Sequence, residues 1–277
     1  MRHERRKHLI KLIAIDLDGT LLRSDKSLSD ENINALKYAH NKGIKIVICT
    51  GRPYQAILPI LQVLEFQTQD DYFITFNGGQ VQRADKHQII LQQTLDYEDF
   101  KYWRNQLERI DLPMNPVDQN WVYEPLEYQK GFESIYVTQV TNAPSKKVNF
   151  DYFNESDQFL KFVVSINSDH LQKQKRFIEP ELLKNYEVVN SHPFQLEISR
   201  KGVSKGNSLK LLGEQIGIKP DEMMTIGDQN NDQTMIEMAG IGVVMRNGSQ
   251  DIIQMADYIT DTNDNNGVAK AIYHWIK

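Results

Sequence analysis

Four short apolar runs constrain the fold of this chain more than any other feature of its sequence. They are rich in Ile and Val and do not alternate with polar residues. The runs are Leu12–Ile15, Ile44–Cys49, Met223–Ile226 and Ile241–Met245. Continuous apolar runs of this length are typical of strands buried on both faces of a parallel sheet. They therefore predict an α/β fold with a doubly wound, mainly parallel sheet built from the two ends of the chain.

Helical patterns lie between and beside these runs. Ser29 is a typical N-cap residue for a helix that ends near Gly43. A second helix is expected to begin near Ser204, just before the third run. Strands and helices that alternate through short connections indicate a doubly wound sheet.

The middle of the chain has a different pattern. Its apolar segments, such as "FESIYVTQV" and "FLKFVVSIN", are interrupted by polar residues. This alternation predicts antiparallel strands with one covered face. We therefore expect residues 1–82 and 191–277 to form a Rossmann-like α/β core, and residues 83–190 to form an inserted α+β domain.

Composition excludes several classes of protein. The apolar fraction of 40% and the charged fraction of 25% are ordinary for a folded globular chain of 277 residues. The net charge of −5 gives no overall positive field of the kind on which non-specific nucleic-acid binding depends. We therefore expect no nucleic-acid partner.

The cysteine content and the N-terminus bear on the expected location of the protein. Cys49 is the only cysteine in the sequence, so no intrachain disulfide can form, which fits a reducing, cytoplasmic environment. The basic start "MRHERRKH" is followed by an apolar stretch too short for a signal peptide, so we expect it to be a solvated tail. No stretch approaches the length of a membrane-spanning helix. We expect a soluble monomer or homodimer with no membrane partner.

Polar residues follow three of the apolar runs directly, where the strands are expected to end. They are Asp16 and Asp18, Thr50 and Gly51, and Asp228 and Asp232, with Lys205 at the start of the helix before the third run. Each one alone could be a helix cap or a turn former. Together they indicate a ligand-binding site, because ligands of open α/β sheets bind outside the carboxyl ends of the strands.

The chemistry of this set indicates phosphoryl transfer. Carboxylates this close together repel each other, so a cation must lie among them. Oxygen ligands with a phosphate partner favour Mg²⁺. Lys205 and the backbone amides of Leu17 and Gly51 could hold the remaining phosphate oxygens, as in other phosphoryl-transfer sites.

Three competing motifs are rejected. Cys49 lacks the longer spacing to arginine that a cysteine-based phosphatase loop needs, so we interpret it as a buried strand residue. The segment "KGVSKGNS" has no glycine directly before its Lys-Ser pair, unlike a Walker loop. The segments "DTNDNNG" and "DQNNDQ" lack the glycine and glutamate positions of a calcium loop.

The motifs "DLDGT", "TGR", "SKG" and "GDQNND" occur in this order across nearly the whole chain. In this combination the chain resembles the haloacid dehalogenase-like (HAD) hydrolase superfamily, and within it the Cof-type phosphatases, which carry an α/β cap domain between the second and third motifs. The segments "FNGG", at Asn77, and "VVMRNGS" depart from the pattern of relatives, and this affects only the expected specificity.

The resemblance implies roles for individual residues. Asp16 would be the nucleophile that forms an aspartyl-phosphate, and Asp18 would be the general acid and base. Mg²⁺ would be bound by the Asp16 carboxylate, the Asp18 backbone carbonyl and the Asp228 carboxylate, with Asp232 in support. The phosphate-binding residues would be Leu17, Thr50, Gly51, Lys205 and Asn231.

The resulting functional hypothesis is a Mg²⁺-dependent phosphatase of small phosphorylated metabolites, either sugar phosphates or phosphorylated cofactors. The substrate would be a phosphate monoester, and the cap would close over the site and select it. A phospho-accepting signalling domain could use similar residues, but such a domain is short and uncapped. A phosphomutase is a further alternative.

Overall fold

The computed structural model describes residues 9–65, 71–85, 88–139 and 144–276. The basic segment 1–8, which the sequence predicts to be a solvated tail, lies outside the described residues.

The described residues form strands and helices in the following order. The strands are β1 (Leu12–Ile15), β2 (Lys45–Cys49), β3 (Tyr72–Thr75), β4 (Gln80–Arg83), β5 (Gln88–Gln92), β6 (Asn115–Val117), β7 (Val122–Pro125), β8 (Ser145–Val148), β9 (Lys161–Ser165), β10 (Tyr186–His192), β11 (Gln195–Arg200), β12 (Met223–Gly227), β13 (Ile241–Val244) and β14 (Tyr258–Ile259). The helices are α1 (Asp30–Asn41), α2 (Tyr54–Leu64), α3 (Tyr97–Glu108), α4 (Tyr136–Gln139), α5 (Ser168–Gln174), α6 (Pro180–Asn185), α7 (Lys205–Ile216), α8 (Gln233–Met238), α9 (Gln250–Ile253) and α10 (Gly267–Trp275).

The chain divides into two compact units. The first contains the described parts of residues 1–52, 57–91 and 204–277, and the second contains 53–56 and the described parts of 92–203. The sheet of the first unit has the strand order β14-β13-β12-β1-β2-β3-β4-β5. The β1 strand is parallel to both β2 and β12, and every residue of β1 is buried, as its uninterrupted apolar sequence predicts.

Two predicted helices of the first unit are present, and a serine caps the start of each. The Ser29 side chain accepts a hydrogen bond from the backbone amide of Asn32 at the start of α1. The Ser204 side chain caps α7 in the same way through Asn207, and α7 ends at Gly217, which has a left-handed backbone. Because Ser204 is the N-cap, Lys205 is the first residue of α7.

The second unit has its own sheet and its own core. Its strand order is β10-β11-β9-β6-β7-β8, and neighbouring strands are antiparallel except for the parallel pair β7 and β8. One face packs against fully buried aromatic side chains, which include Phe100, Trp103, Phe159 and Phe162. The predicted fold class, a mainly parallel α/β core with an inserted α+β domain, is confirmed.

The boundaries of the second unit differ from the predicted range 83–190. The described parts of residues 83–91 belong to the first unit, where β4 and β5 extend its sheet. At the other boundary, β11 pairs with β9 and so belongs to the second unit. Alternation in the sequence identifies a strand but does not say which sheet it joins, and this explains both differences.

One predicted strand is a helix. The segment "FESIYVTQV" contains α4, whereas "FLKFVVSIN" contains the expected strand β9. The Ser134 hydroxyl accepts a hydrogen bond from the backbone amide of Tyr136 at 3.1 Å. This local bond turns the backbone out of the extended conformation that the alternation predicts.

Within the described ranges, every helix is too short or too polar to cross a bilayer.

Candidate active site

The predicted site residues lie at the carboxyl ends of β1, β2 and β12. Asp16, Thr50 and Asp228 each follow the last residue of one of these strands. The order of the sheet reverses at β1, since β2 lies on one side of it and β12 on the other. This topological switch point is where ligands of open α/β sheets bind.

A single buried ammonium group holds two carboxylates together. The Nζ atom of Lys205 lies 2.5 Å from Oδ1 of Asp16 and 2.6 Å from Oδ1 of Asp232. The Lys205 side chain is fully buried. Burial alone would lower the pKa of Lys205, but the two carboxylates outweigh burial and raise it, so this lysine stays protonated.

The Asp232 carboxylate has partners on both oxygens. Its Oδ2 atom accepts hydrogen bonds from the backbone amides of Asp228 at 2.9 Å and Gln229 at 3.0 Å, while Oδ1 faces Lys205. Asp232 therefore shapes the turn after β12 and fixes the ammonium group.

The turn after β1 fixes the orientation of the Asp228 carboxylate. Its Oδ1 atom accepts a 2.7 Å hydrogen bond from the Thr20 hydroxyl. Gly19 has a φ angle of +82°, and a Cβ atom there would lie 2.3 Å from Oδ2 of Asp228. Only glycine combines this backbone conformation with so close an approach.

These acids form a donor set suited to a divalent cation. One carboxylate oxygen from each of Asp16, Asp228 and Asp232 lies within 4.8 Å of the others, and all three residues are buried. Three carboxylates with one ammonium group leave two negative charges without a counter-charge. Burial and the neighbouring carboxylates raise the pKa of Asp16 well above its usual value, despite the opposing effect of Lys205. Burial and then Asp232 raise that of Asp228 to about 6. The set therefore fits a divalent metal ion.

Asp18 lies outside this acidic cluster. Its carboxylate accepts hydrogen bonds from Nε and Nη2 of Arg52 at 2.7 and 2.6 Å, and from Nζ of Lys26 at 2.8 Å. Burial alone would raise the pKa of Asp18, but these two cations outweigh burial and lower it. Asp18 is therefore held as a carboxylate.

Two of the predicted phosphate-binding residues, Gly51 and Asn231, are connected through Asn77. The Thr50 hydroxyl accepts a 3.1 Å hydrogen bond from the backbone amide of Arg52. Asn77 lies against Gly51 and accepts a 3.1 Å hydrogen bond from Nδ2 of Asn231. The Leu17 side chain is buried, and its carbonyl accepts the amide of Leu22 at 2.9 Å. The roles of these residues in binding phosphate remain predictions.

Sequence reasoning did not assign roles to Thr20, Lys26, Arg52 and Asn77. Thr20 and Arg52 stand in the same segments after strands as the predicted residues, so their position alone could have identified them. Lys26 and Asn77 carry no such signal. Both have left-handed backbones, with φ angles of 68° and 55°. Asn77 does follow a strand, β3, but that strand is not among the four apolar runs from which strand ends were predicted.

Comparisons with known proteins identify the family of the chain. The sequence profile of the haloacid dehalogenase-like hydrolases matches residues 13–272. The Bacillus subtilis protein YxeH, provisionally named a phosphatase, is 33% identical over 97% of this chain and 99% of its own. The 5-amino-6-(5-phospho-D-ribitylamino)uracil phosphatase YcsE of B. subtilis is 32% identical over 96% of each chain.

A solved structure is also similar to this chain. This phosphatase of the haloalkanoate (HAD) enzyme superfamily, from Bacteroides thetaiotaomicron, is 28% identical and covers 98% of this chain and 97% of its own, with a TM-score of 0.82. With the profile match over most of its length, the chain belongs to the haloacid dehalogenase-like hydrolase family and is an enzyme of its phosphatase group.

Proposed function

We propose that this protein is a Mg²⁺-dependent phosphatase that hydrolyses small phosphorylated metabolites through an aspartyl-phosphate on Asp16. The observation that carries the proposal is the buried cluster at the switch point. Asp16 follows β1 there, shares the Lys205 ammonium group with Asp232, and lies beside the Asp228 carboxylate.

The proposed reaction has two steps. A carboxylate oxygen of Asp16 attacks phosphorus, the ester P–O bond breaks, and Asp18 gives a proton to the leaving alcohol. Asp18 then takes a proton from water, whose oxygen attacks phosphorus, and the bond to Asp16 breaks to release inorganic phosphate. Arg52 and Lys26 hold Asp18 as a carboxylate, which is the form that accepts a proton in the second step. To donate a proton in the first step, Asp18 must be protonated beforehand.

The other residues would hold the phosphoryl group. Lys205, the Thr50 hydroxyl, the Leu17 and Gly51 amides and Asn231 are proposed to bind its oxygens. Mg²⁺ would be held by Asp16, the Asp18 carbonyl and Asp228, with Asp232 in support. When bound, the metal ion neutralises the negative charge of the phosphoryl group. The full set is needed, because phosphate-monoester hydrolysis requires rate enhancements of up to ~10²¹, whereas general acid-base catalysis contributes roughly 10² to 10⁴.

We propose sugar phosphates or phosphorylated cofactors as the substrate class. The relative YcsE is named for a substrate whose phosphate is carried on a ribityl chain attached to a uracil. This supports a small phosphate monoester with a hydroxylated leaving group for the present enzyme.

Phosphate release from a panel of monoesters, measured with Mg²⁺ and with a chelator, tests the proposal. We expect turnover only with the metal. Asp16→Asn removes the nucleophile, so its turnover should fall by roughly 10³-fold or more. Asp25→Asn is the matched control, because Asp25 is an exposed acid of the same segment whose carboxylate accepts hydrogen bonds from the backbone amide and the hydroxyl of Ser27, and we expect it to leave turnover unchanged.

Four outcomes would contradict the proposal. The first is no phosphate release from any ester, and the second is full turnover by Asp16→Asn. The third is a phosphorylated protein that persists for minutes after a small phosphodonor is removed, which would favour a signalling domain. An isomerised substrate without net phosphate release would instead identify a phosphomutase.

A further inference from the structure

The turn Phe76–Gly78, which follows β3, has a backbone that most side chains avoid. Phe76 and Asn77 have φ angles of 52° and 55°, and Gly78 has a φ angle of +107°. A bulky residue such as Phe rarely adopts a positive φ angle. Strained conformations of this kind persist where the surroundings determine them, and they are concentrated at functional sites.

Backbone hydrogen bonds tie this turn to the segment after β2. The amide of Asn77 donates to the carbonyl of Thr50 at 3.0 Å, and the amide of Phe76 donates to the carbonyl of Arg52 at 3.3 Å. Both acceptors flank Gly51, whose amide is a predicted phosphate ligand. The turn therefore fixes the backbone on each side of that amide.

The same turn also packs against the start of α7. The carbonyl of Gly78 accepts a 2.7 Å hydrogen bond from the Ser208 hydroxyl. A Cβ atom at Gly78 would lie 2.4 Å from the carbonyl oxygen of Ser204, the N-cap of α7. The helix that begins with Lys205 is thus in direct contact with the turn.

The Asn77 side chain completes these connections. Its Oδ1 atom accepts from Nδ2 of Asn231 at 3.1 Å. A Cβ atom at Gly51 would lie 3.1 Å from both Oδ1 and Nδ2 of Asn77, so the amide group covers the Cα atom of Gly51. One side chain therefore sets the position of two predicted phosphate-binding residues that are far apart in the sequence.

We propose that Asn77 is a positioning residue of the phosphate site, which orients Asn231 and the Gly51 amide toward the phosphoryl group. This rests on the proposed function. Asn suits the position because it tolerates the left-handed backbone and supplies the acceptor for Asn231.

The variant Asn77→Gly tests the side chain without adding backbone strain, because glycine accepts a positive φ angle. We expect inorganic phosphate, measured by calorimetry in the presence of Mg²⁺, to bind roughly 3- to 10-fold more weakly, since hydrogen bonds of this kind contribute about 1 kcal/mol. KM for a phosphate monoester should rise by the same factor and kcat should not change, as expected for an interaction made equally in the ground and transition states.

Asn266→Gly is the matched control. Asn266 has a φ angle of 58°, close to that of Asn77, and its side chain accepts a hydrogen bond from Arg23, outside the phosphate site. We expect this variant to bind phosphate like the wild type. If Asn77→Gly does not fold, as judged by thermal unfolding, Asn77→Asp replaces it. That variant keeps the acceptor but adds a negative charge, so it should weaken phosphate binding at least as much.

A double-mutant cycle separates positioning from a general structural role. If Asn77 acts partly through Asn231, the effect of Asn77→Gly on phosphate affinity should be smaller in an Asn231→Ala background. Unchanged phosphate affinity and KM in a folded Asn77 variant would overturn the proposal, and so would a loss confined to kcat. If the wild type hydrolyses no ester, the proposed function fails, while the phosphate-binding measurement still decides the role of Asn77.

Discussion

The free energy of the buried charges around Lys205 depends on whether a proton or a metal ion is bound beside them. Buried ions are costly unless they are paired, and the single ammonium group of Lys205 serves both Asp16 and Asp232. The Asp228 carboxylate accepts hydrogen bonds from the Thr20 hydroxyl and the Gln229 side-chain amide. A proton and a metal ion would therefore compete for the Asp228 carboxylate.

This competition predicts a pH-dependent effect of Mg²⁺ on stability. Burial raises the pKa of Asp228 from 3.8 to about 6. The folded protein then binds more protons than the unfolded chain in that range, so metal-free stability falls as the pH rises through it. At pH 5 Mg²⁺ must displace a proton, and at pH 8 it need not. Thermal unfolding should therefore show a larger Mg²⁺-induced rise in Tm at pH 8 than at pH 5.

The expected size of the Mg²⁺-induced stabilisation follows from binding linkage. A ligand at 100 times its Kd stabilises the folded state by about 2.7 kcal/mol. Asp228→Asn should lose most of the Mg²⁺-dependent rise, whereas Asp25→Asn should keep it. An equal rise in Tm at both pH values would be evidence against a metal site that includes Asp228.

Individual site residues were predictable where a strand end determined their position. Asp16 and Asp228 follow buried strands, and parallel strands bring their carboxyl ends to one edge. Asn77 was not located in this way because β3, the strand before it, is not one of the four predicted apolar runs. Lys26 lies in a left-handed turn rather than at a strand end. Their partners, Asn231 and Asp18, are distant in the sequence or belong to another turn.

The side chains of strand β9 in the second unit lie on two opposite faces of its sheet. Phe162 and Val164 point into the aromatic core. Lys161 lies on the opposite face, where its ammonium group is 2.9 Å from Oε2 of Glu197 on β11. The Lys161 side chain is 6% exposed and the Glu197 side chain is 13% exposed. This ion pair is therefore largely removed from solvent.

Breaking this pair should be costly. Lys161→Met leaves the Glu197 carboxylate without its counter-charge, and loss of one partner of a buried pair destabilises a protein by about 3 to 5 kcal/mol. Adding Glu197→Gln should restore much of the loss, because no unpaired charge remains. Denaturant unfolding of the single and double variants measures both effects.

The pair Lys101 and Glu98 on α3 provides the control. Its side chains are 46% and 74% exposed, so Lys101→Met should change the free energy of unfolding far less than Lys161→Met does. Burial alone would raise the pKa of Glu197, but Lys161 outweighs burial and lowers it below 4.5. The stability from the buried pair should therefore be present at neutral pH and be lost as the pH falls below that value. Equal effects of the Lys161 and Lys101 substitutions would contradict this account.

Elements were predicted more reliably than their membership in a sheet. The apolar runs and the caps Ser29 and Ser204 correspond to observed strands and helices. The assignment of β5 and β11 to a unit depends on pairing with distant strands, which local alternation does not encode. The domain boundaries differ from the prediction for this reason.

Each of the two units has its own sheet and its own buried apolar cluster. The second is nearly continuous in sequence, since residues 92–203 supply all of it except 53–56. A fragment of residues 92–203 should therefore fold alone, with a cooperative thermal transition and a near-ultraviolet circular dichroism signal from buried Trp103. It should release no phosphate, because it lacks Asp16. A non-cooperative melt would show that this unit depends on the rest of the chain.

The position of β1 between β2 and β12 has a consequence for synthesis of the protein on the ribosome. β2 emerges soon after β1 and can pair with it at once, but the other edge of β1 has no partner until Met223–Gly227 have been made. At about 5 to 20 residues per second, that interval lasts roughly 10 to 40 s. During it, an apolar strand edge of the nascent chain is open to other chains and to chaperones. The strand that precedes the proposed nucleophile is thus translated long before both of its edges are paired.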